Sequence, residues 1–147
     1  MKKIGFLLMI IMLFSSTLYS VNAQSKLTEK EKRFIQIITN DFKESHNINF
    51  NEYDFFDIKE ALSSDDNLTS KEKFLTNVYL NIVKKQDVFD ISPIIYINKA
   101  NNKGYVLEKK LNGMNHLYPL YKSDQNWKMS KRVNKKGTNL EDLGLLN

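Results

Sequence analysis

The chain of 147 residues contains no cysteine, two prolines and five glycines. The first absence excludes disulfide stapling, thiolate metal sites, thiol nucleophiles and the acylated cysteine of a lipoprotein. Scarce Pro and Gly, with no low-complexity tract, argue against a disordered body. There are two histidines, His46 and His116. No H-x-x-x-H pair and no Asp/Glu set at ligand spacing accompanies them, so no zinc centre is expected. Asp65-Asp66 lacks the D-x-D-x-D-G order of a calcium loop. No cofactor is therefore expected, and no catalytic motif stands out.

What is present begins with an address. Met1-Lys2-Lys3 is a positive start, Ile4 to Phe14 is an apolar run, and a polar stretch ends at Val21-Asn22-Ala23. This is the pattern of a secretory signal peptide cleaved after Ala23. The run rises only about 16 Å as a helix against roughly 30 Å of hydrocarbon, too short for an anchor. The expected organisation is residues 1–23 as signal peptide, 24–137 as a single domain, and 138–147 as a C-terminal tail. The expected location is periplasmic or secreted. Such a body must be held by packing, and nine Phe, seven Tyr and one Trp supply the apolar mass.

Charge is distributed unevenly. Residues 24–98 carry 10 Lys/Arg against 13 Asp/Glu, whereas residues 99–136 carry 10 Lys/Arg against Glu108 and Asp124 alone. A mildly acidic front half thus precedes a basic back half.

Two capping boxes mark helix starts, Thr28-Glu29-Lys30-Glu31 and Thr69-Ser70-Lys71-Glu72. Phe34, Ile35, Ile37, Ile38 and Phe42 recur at helical spacing behind the first, predicting a helix over 29–45. Phe74, Leu75, Val78, Tyr79, Ile82 and Val83 do the same behind the second. Between them Tyr53, Phe55, Phe56, Ile58, Ala61 and Leu62 predict a short third helix. From Ile91 the period changes to two. Ile94–Ile97, Tyr105–Leu111, Met114–Tyr121 and Trp127–Val133 read as strands, with Asn112-Gly113 as a two-residue hairpin turn. Pro119 marks an edge or a bulge. In the last strand Trp127, Met129, Lys131 and Val133 are expected on one face, and Lys128, Ser130 and Arg132 on the other. The expected fold class is α+β: two or three N-terminal helices packed on one face of a C-terminal four-stranded antiparallel meander.

The stretch Tyr118 to Arg132 (YPLYKSDQNWKMSKR) pairs an apolar-x-apolar strand with a polar turn and a closing Trp-Lys-apolar strand. With Gly104-Tyr105-Val106 before it, and with Asn126-Trp127-Lys128-Met129 as its specific mark, it resembles the C-terminal hairpin of the nuclear transport factor two-like (cystatin-like) superfamily. The resemblance implies helices laid in a curved antiparallel sheet, a cone with an apolar cavity, or a dimerising sheet. Enzymes of that superfamily place Asp, His or Tyr in the cone. No such set maps onto this chain, so the likeness implies a fold and no activity.

The candidate binding residues are Lys110, Lys128 and Arg132, expected on one outward basic face, with Tyr118, His116 and Trp127 beside them. Like charges across neighbouring strands repel, and an acidic partner would relieve them. His46 is expected to meet the C-terminal dipole of the first helix as an imidazolium. Asp54, Asp57 and Glu60 read as a solvated face. The reading is an exported, non-enzymatic binding domain of the cell envelope. It would engage a small ligand in a cavity or an acidic partner, protein or anionic envelope surface, through its basic sheet; no nucleic-acid partner is expected. The alternatives are an inhibitor or immunity-type protein that blocks an enzyme, and a small hydrolase or isomerase using His116.

Overall fold

The computed structural model describes residues 27–63 and 68–146, so the expected signal peptide and the Asp65-Asp66 pair lie outside the described residues. Helix α1 spans Glu29–His46, strand β1 Tyr53–Phe56, helix α2 Ile58–Ser63 and helix α3 Ser70–Val83. Strands β2 to β6 follow at Ile94–Asn98, Lys103–Lys109, Met114–Ser123, Asn126–Met129 and Val133–Lys136. The fold is α+β, as its periodicities require.

Both capping boxes form. The Thr28 hydroxyl accepts the Glu31 N–H at 3.2 Å while the Glu31 carboxylate accepts the Thr28 N–H at 2.7 Å. Thr69 and Glu72 repeat the arrangement at 3.3 and 2.7 Å. Each box satisfies amides that the first helical turn cannot bond internally. Asn47 closes α1 in the left-handed region with φ 55°, a conformation its short polar side chain tolerates.

All strand pairs are antiparallel, and the sheet has six strands rather than the four expected. The order is β1-β2-β3-β4-β5, with β6 also pairing β4. The first extra strand is β1, where a helix was expected over Tyr53–Phe56. Tyr-Asp-Phe-Phe pairs with Ile95–Asn98, and its aromatic residues suit a pleated, half-buried surface. Only Ile58–Ser63 is helical, with the Asp57 carboxylate accepting the Lys59 N–H at 2.9 Å at its start.

The second extra strand comes from a break in the expected Trp127–Val133 strand. Leu117 pairs with Val133 and Leu120 with Met129, so two residues of β4 face three of the partner. This is a β-bulge at Ser130-Lys131-Arg132, opposite Pro119. Ser130 N–H donates to the Pro119 carbonyl at 2.8 Å. Within a strand, N–H and C=O of one residue point the same way, so the amide that proline lacks faces the bulge. The extra residue reverses the alternation. Trp127 shares a face with Leu120 while Val133 shares one with Leu117, which corrects the single-face grouping expected from Trp127 to Val133.

The hairpin turns also differ from expectation. Between β3 and β4, Gly113 has φ 83° and Asn112 has no positive φ, so this is not a two-residue turn with both positions left-handed. Gly113 N–H donates to Lys110 O and Lys110 N–H to Met114 O, a turn closed by a glycine bulge. The turn with two positive φ values joins β4 to β5 at Asp124 (50°) and Gln125 (66°).

Helices cover both faces of the sheet, not one. Ile38 and Phe42 of α1 pack with Phe50, Ile94, Leu107, Leu117 and Leu140. Leu75, Val78 and Ile82 of α3 pack with Ile95, Ile97, Val106 and Leu120. Ile94/Ile95 and Val106/Leu107 are sequence neighbours, so they point to opposite sides. The continuous run Ile94–Ile97 is the mark of a strand buried on both faces. The tail docks: Leu140 is buried and Leu143 and Leu145 pack on the α1 cluster.

Candidate functional site

The sheet positions two polar assemblies on opposite sides of the β3–β4 hairpin. Lys109 points toward α1 and the tail. Its ammonium is fully buried, 2.7 Å from Asp41 Oδ2 and 3.1 Å from the Gly113 carbonyl. Asp41 Oδ2 also accepts from Asn115 Nδ2 at 2.6 Å, and Oδ1 accepts the Thr138 N–H at 2.8 Å. Asn115 Nδ2 reaches Ser45 Oγ at 2.8 Å. Burial alone would raise the Asp41 carboxyl; the Lys109, Thr138 and Asn115 donors outweigh it and hold it below its ordinary value. His46 stacks on Phe42 with ring centroids 5.6 Å apart, its Nε2 3.4 Å from the Asn115 carbonyl. Burial lowers its pKa. It thus favours the neutral ring over the imidazolium expected at the end of α1.

On the α3 side, Glu108 is 2% exposed. Its Oε2 accepts from Tyr118 Oη at 2.6 Å and faces His116 Nδ1 at 3.0 Å, and its Oε1 lies 3.1 Å from Lys110 Nζ. Lys110 Nζ also meets Asp90 Oδ2 at 2.5 Å, and Asp90 Oδ1 accepts the Leu111 N–H at 3.1 Å. Burial again opposes ionisation of Glu108, and the Tyr118, His116 and Lys110 contacts prevail, lowering its pKa. Burial would lower Lys110, but Asp90 and Glu108 together raise it. Tyr118 is raised, first by burial and then by its bond to Glu108. Arg132 Nη1, in the bulge, stands 3.3 Å from His116 Nδ1. With Nδ1–H donating to Glu108, that approach is a packing contact between two donors.

Four of the six residues singled out from the sequence (Lys110, His116, Tyr118 and Arg132) thus converge, but around a carboxylate that sequence reasoning passed over. In the sequence alone, Glu108 and Asp90 register only as charges. The signal for Glu108 was the hairpin register: pairing Glu108 with His116 puts both beside Tyr118 on one face. Lys110 does not lie on an outward basic face with Lys128, because it is folded into two carboxylates. Lys128 is exposed on the other side of the sheet, paired with Tyr121, its Nζ 3.4 Å from Ser123 Oγ. Trp127 stands apart from the Glu108 assembly, beside the α3 first turn.

Chemically, the Glu108 carboxylate already has donors on both oxygens and is enclosed. It is placed to orient Tyr118, His116 and Lys110. Among the described residues no group of three or more His, Asp or Glu could hold a metal ion, and no helix is long and apolar enough to cross a membrane. Between α1 and the sheet, aromatic rings pack on one another. Phe50 lies 5.0 Å from Tyr96 and 6.1 Å from Tyr105, and Tyr53 lies 5.3 Å from Tyr105. Burial and the Tyr105 hydroxyl push Tyr53 up to about 12.

The outward basic feature is the β5–β6 edge. Val133–Lys136 is exposed at all four positions, as are Lys128, Lys131 and Arg132. Among the described residues, Lys128, Lys131, Arg132, Lys135 and Lys136 form no salt bridge. No protein-family model matches the chain, and no curated protein or solved structure matches it either.

Proposed function

We propose that this is a non-enzymatic binding domain, exported to the cell envelope, that engages an acidic protein surface through its cationic β5–β6 edge. The observation that carries the reading is the set of five exposed cations, Lys128, Lys131, Arg132, Lys135 and Lys136, on the last two strands and the bulge between them, none in a salt bridge among the described residues. Lysines on an edge also discourage edge-to-edge aggregation. That role needs only one or two charges, and five in nine residues exceed it. The edge rests on the Asp41 and Glu108 assemblies, so the cations are presented by a fixed frame. Complementary charge of this kind chiefly speeds association. The packing of rings beneath α1 disfavours the small-ligand cavity. Kinship with the nuclear transport factor two-like superfamily is part of this proposal, supported by a long N-terminal helix laid on an antiparallel sheet.

The test compares the mature protein with Lys131→Glu/Lys135→Glu/Lys136→Glu as immobilised baits for envelope extract. The expected result is one acidic protein retained stoichiometrically at low salt, released as salt rises, and lost by the variant. Equal retention by both baits would overturn the reading. If the retained protein is an enzyme whose turnover falls on binding, the domain is its inhibitor. N-terminal sequencing of the exported species is expected to begin at Gln24; an intact Met1 would remove the export premise.

A further inference from the structure

A separate cleft of about 310 Å³ opens where the first turn of α3, the β2–β3 turn and the β4–β5 hairpin meet. It lies at the low end of the range of small-molecule sites, on the order of 300–1,000 Å³. Its composition is specific. Trp127, half-buried, offers an aromatic face. Around it stand three primary amides, Asn101, Gln125 and Asn126, and two cations, Lys71 and Lys122. Among the described residues, no carboxylate lines it. The neighbouring Glu72 is committed to the Thr69 amide and hydroxyl, and Asp124 Oδ2 accepts from Ser123 Oγ at 3.1 Å.

A second observation concerns the backbone. Gln125 holds φ 66° in a turn whose two central positions favour glycine or asparagine. A long side chain there costs stability that glycine would not. Strain retained at a position that lines a cleft is a reason to look for a role of the side chain.

We propose that this cleft binds an acidic saccharide unit, a pyranose bearing a carboxylate or phosphate. The apolar C–H face of the sugar would stack on Trp127. Its hydroxyl groups would pair with the amides, each of which both donates and accepts. Lys122 and Lys71 would meet the anionic group. Lys128 points to the opposite face, so the site is independent of the basic edge.

The chain has one tryptophan, so its emission reports this cleft directly. The experiment titrates the protein with a glucuronic-acid disaccharide, glucose 6-phosphate, the neutral glucose disaccharide and adenosine monophosphate, following Trp127 fluorescence. At least one of the two acidic sugars is expected to give a saturable change with an affinity about tenfold or more above the neutral disaccharide, the scale of one charge-assisted hydrogen bond. Which acidic sugar binds better tells carboxylate from phosphate. Lys122→Met is expected to erase that preference. Gln125→Gly is expected to weaken binding about fivefold while raising the unfolding midpoint, a pairing that a purely structural role cannot give. No saturable response to either acidic sugar overturns the proposal. So does a stronger response to adenosine monophosphate, which would make the cleft a base-stacking site.

Discussion

Replacing Asp41 by Asn should be the most damaging single-atom exchange in the molecule. Asp41 receives Lys109 Nζ, Asn115 Nδ2 and the Thr138 N–H, all at 2.8 Å or less. The amide would keep one acceptor, enough for Thr138, and turn its two N–H donors toward the donors of Lys109 and Asn115. The buried ammonium would retain only the Gly113 carbonyl at 3.1 Å. Removing one member of a buried pair costs about 3–5 kcal/mol, because the other charge stays buried and uncompensated. For urea slopes of about 1–3 kcal/mol/M this lowers the midpoint by roughly 2 M. Lys109→Met should cost less, about 2–3 kcal/mol. It leaves Asp41 with two donors and lets the thioether fill the stem volume. The double variant should be milder than the sum of the singles by about 2 kcal/mol. The assay is urea unfolding at pH 7 of parent, both singles and the double. An Asp41→Asn cost below about 1 kcal/mol, or additive singles, would show that the pair does not behave as a buried charge network.

Gly137→Ala should disrupt the same network, since a Cβ there would lie 2.4 Å from Asp41 Oδ2 and 2.3 Å from Asn115 Nδ2. A midpoint loss equivalent to about 1–3 kcal/mol is expected by chemical denaturation. Gln125→Gly should raise stability by about 1 kcal/mol by relieving a left-handed non-glycine residue; a loss on thermal melting would contradict the turn geometry. Acid should unfold the protein through Asp41 and Glu108, whose folded pKa values are lowered. The unfolded state then binds more protons, so stability present above a pH of about 4 falls away below it. His46, also lowered, adds stability that is full above about pH 6.5 and shrinks beneath it. His46→Gln is expected to flatten the pH 5–7 segment of the stability curve while leaving the acid limb.

Local signals were legible wherever the chemistry was local. Thr28/Glu31 and Thr69/Glu72 announced helix starts because a capping box is complete within four residues. The antiparallel hairpins followed from alternation and turn residues. What failed depended on partners distant in sequence. Tyr53–Phe56 is too short for periodicity to separate strand from helix, and its pairing with β2 decided the matter. The bulge at Ser130–Arg132 shifts side chains between faces without leaving a trace in the alternation. Pro119 hinted at it from the opposite strand. The Ile94–Ile97 run, apolar at every position, already implied cover on both faces. Lys110 looked like one more exposed cation because its partners, Asp90 and Glu108, become neighbours only when loop and hairpin meet.

The consecutive residues Glu108, Lys109 and Lys110 suggest why such a small body keeps ions in its interior. Alternation sends Lys109 to Asp41 beneath α1 and sends Glu108 and Lys110 toward Asp90, His116 and Tyr118 on the α3 side. Buried pairs contribute little net stability compared with apolar replacements. The apolar clusters on both faces supply the driving force, but they discriminate poorly: β3 and β2 are apolar on both sides, so a one-residue slip would still bury hydrocarbon. The charges remove that ambiguity. After a slip that carries Glu108 into the place of Lys109, Glu108 would confront Asp41, and Lys109 would join Arg132 on the other face. Each is a like-charge contact in a low-dielectric setting, where an unpaired ion is costly. A slip flips every side chain of a strand at once, so both penalties fall together. The two assemblies therefore act as a register key for the central hairpin, and the cationic edge built on β4 inherits its position from it.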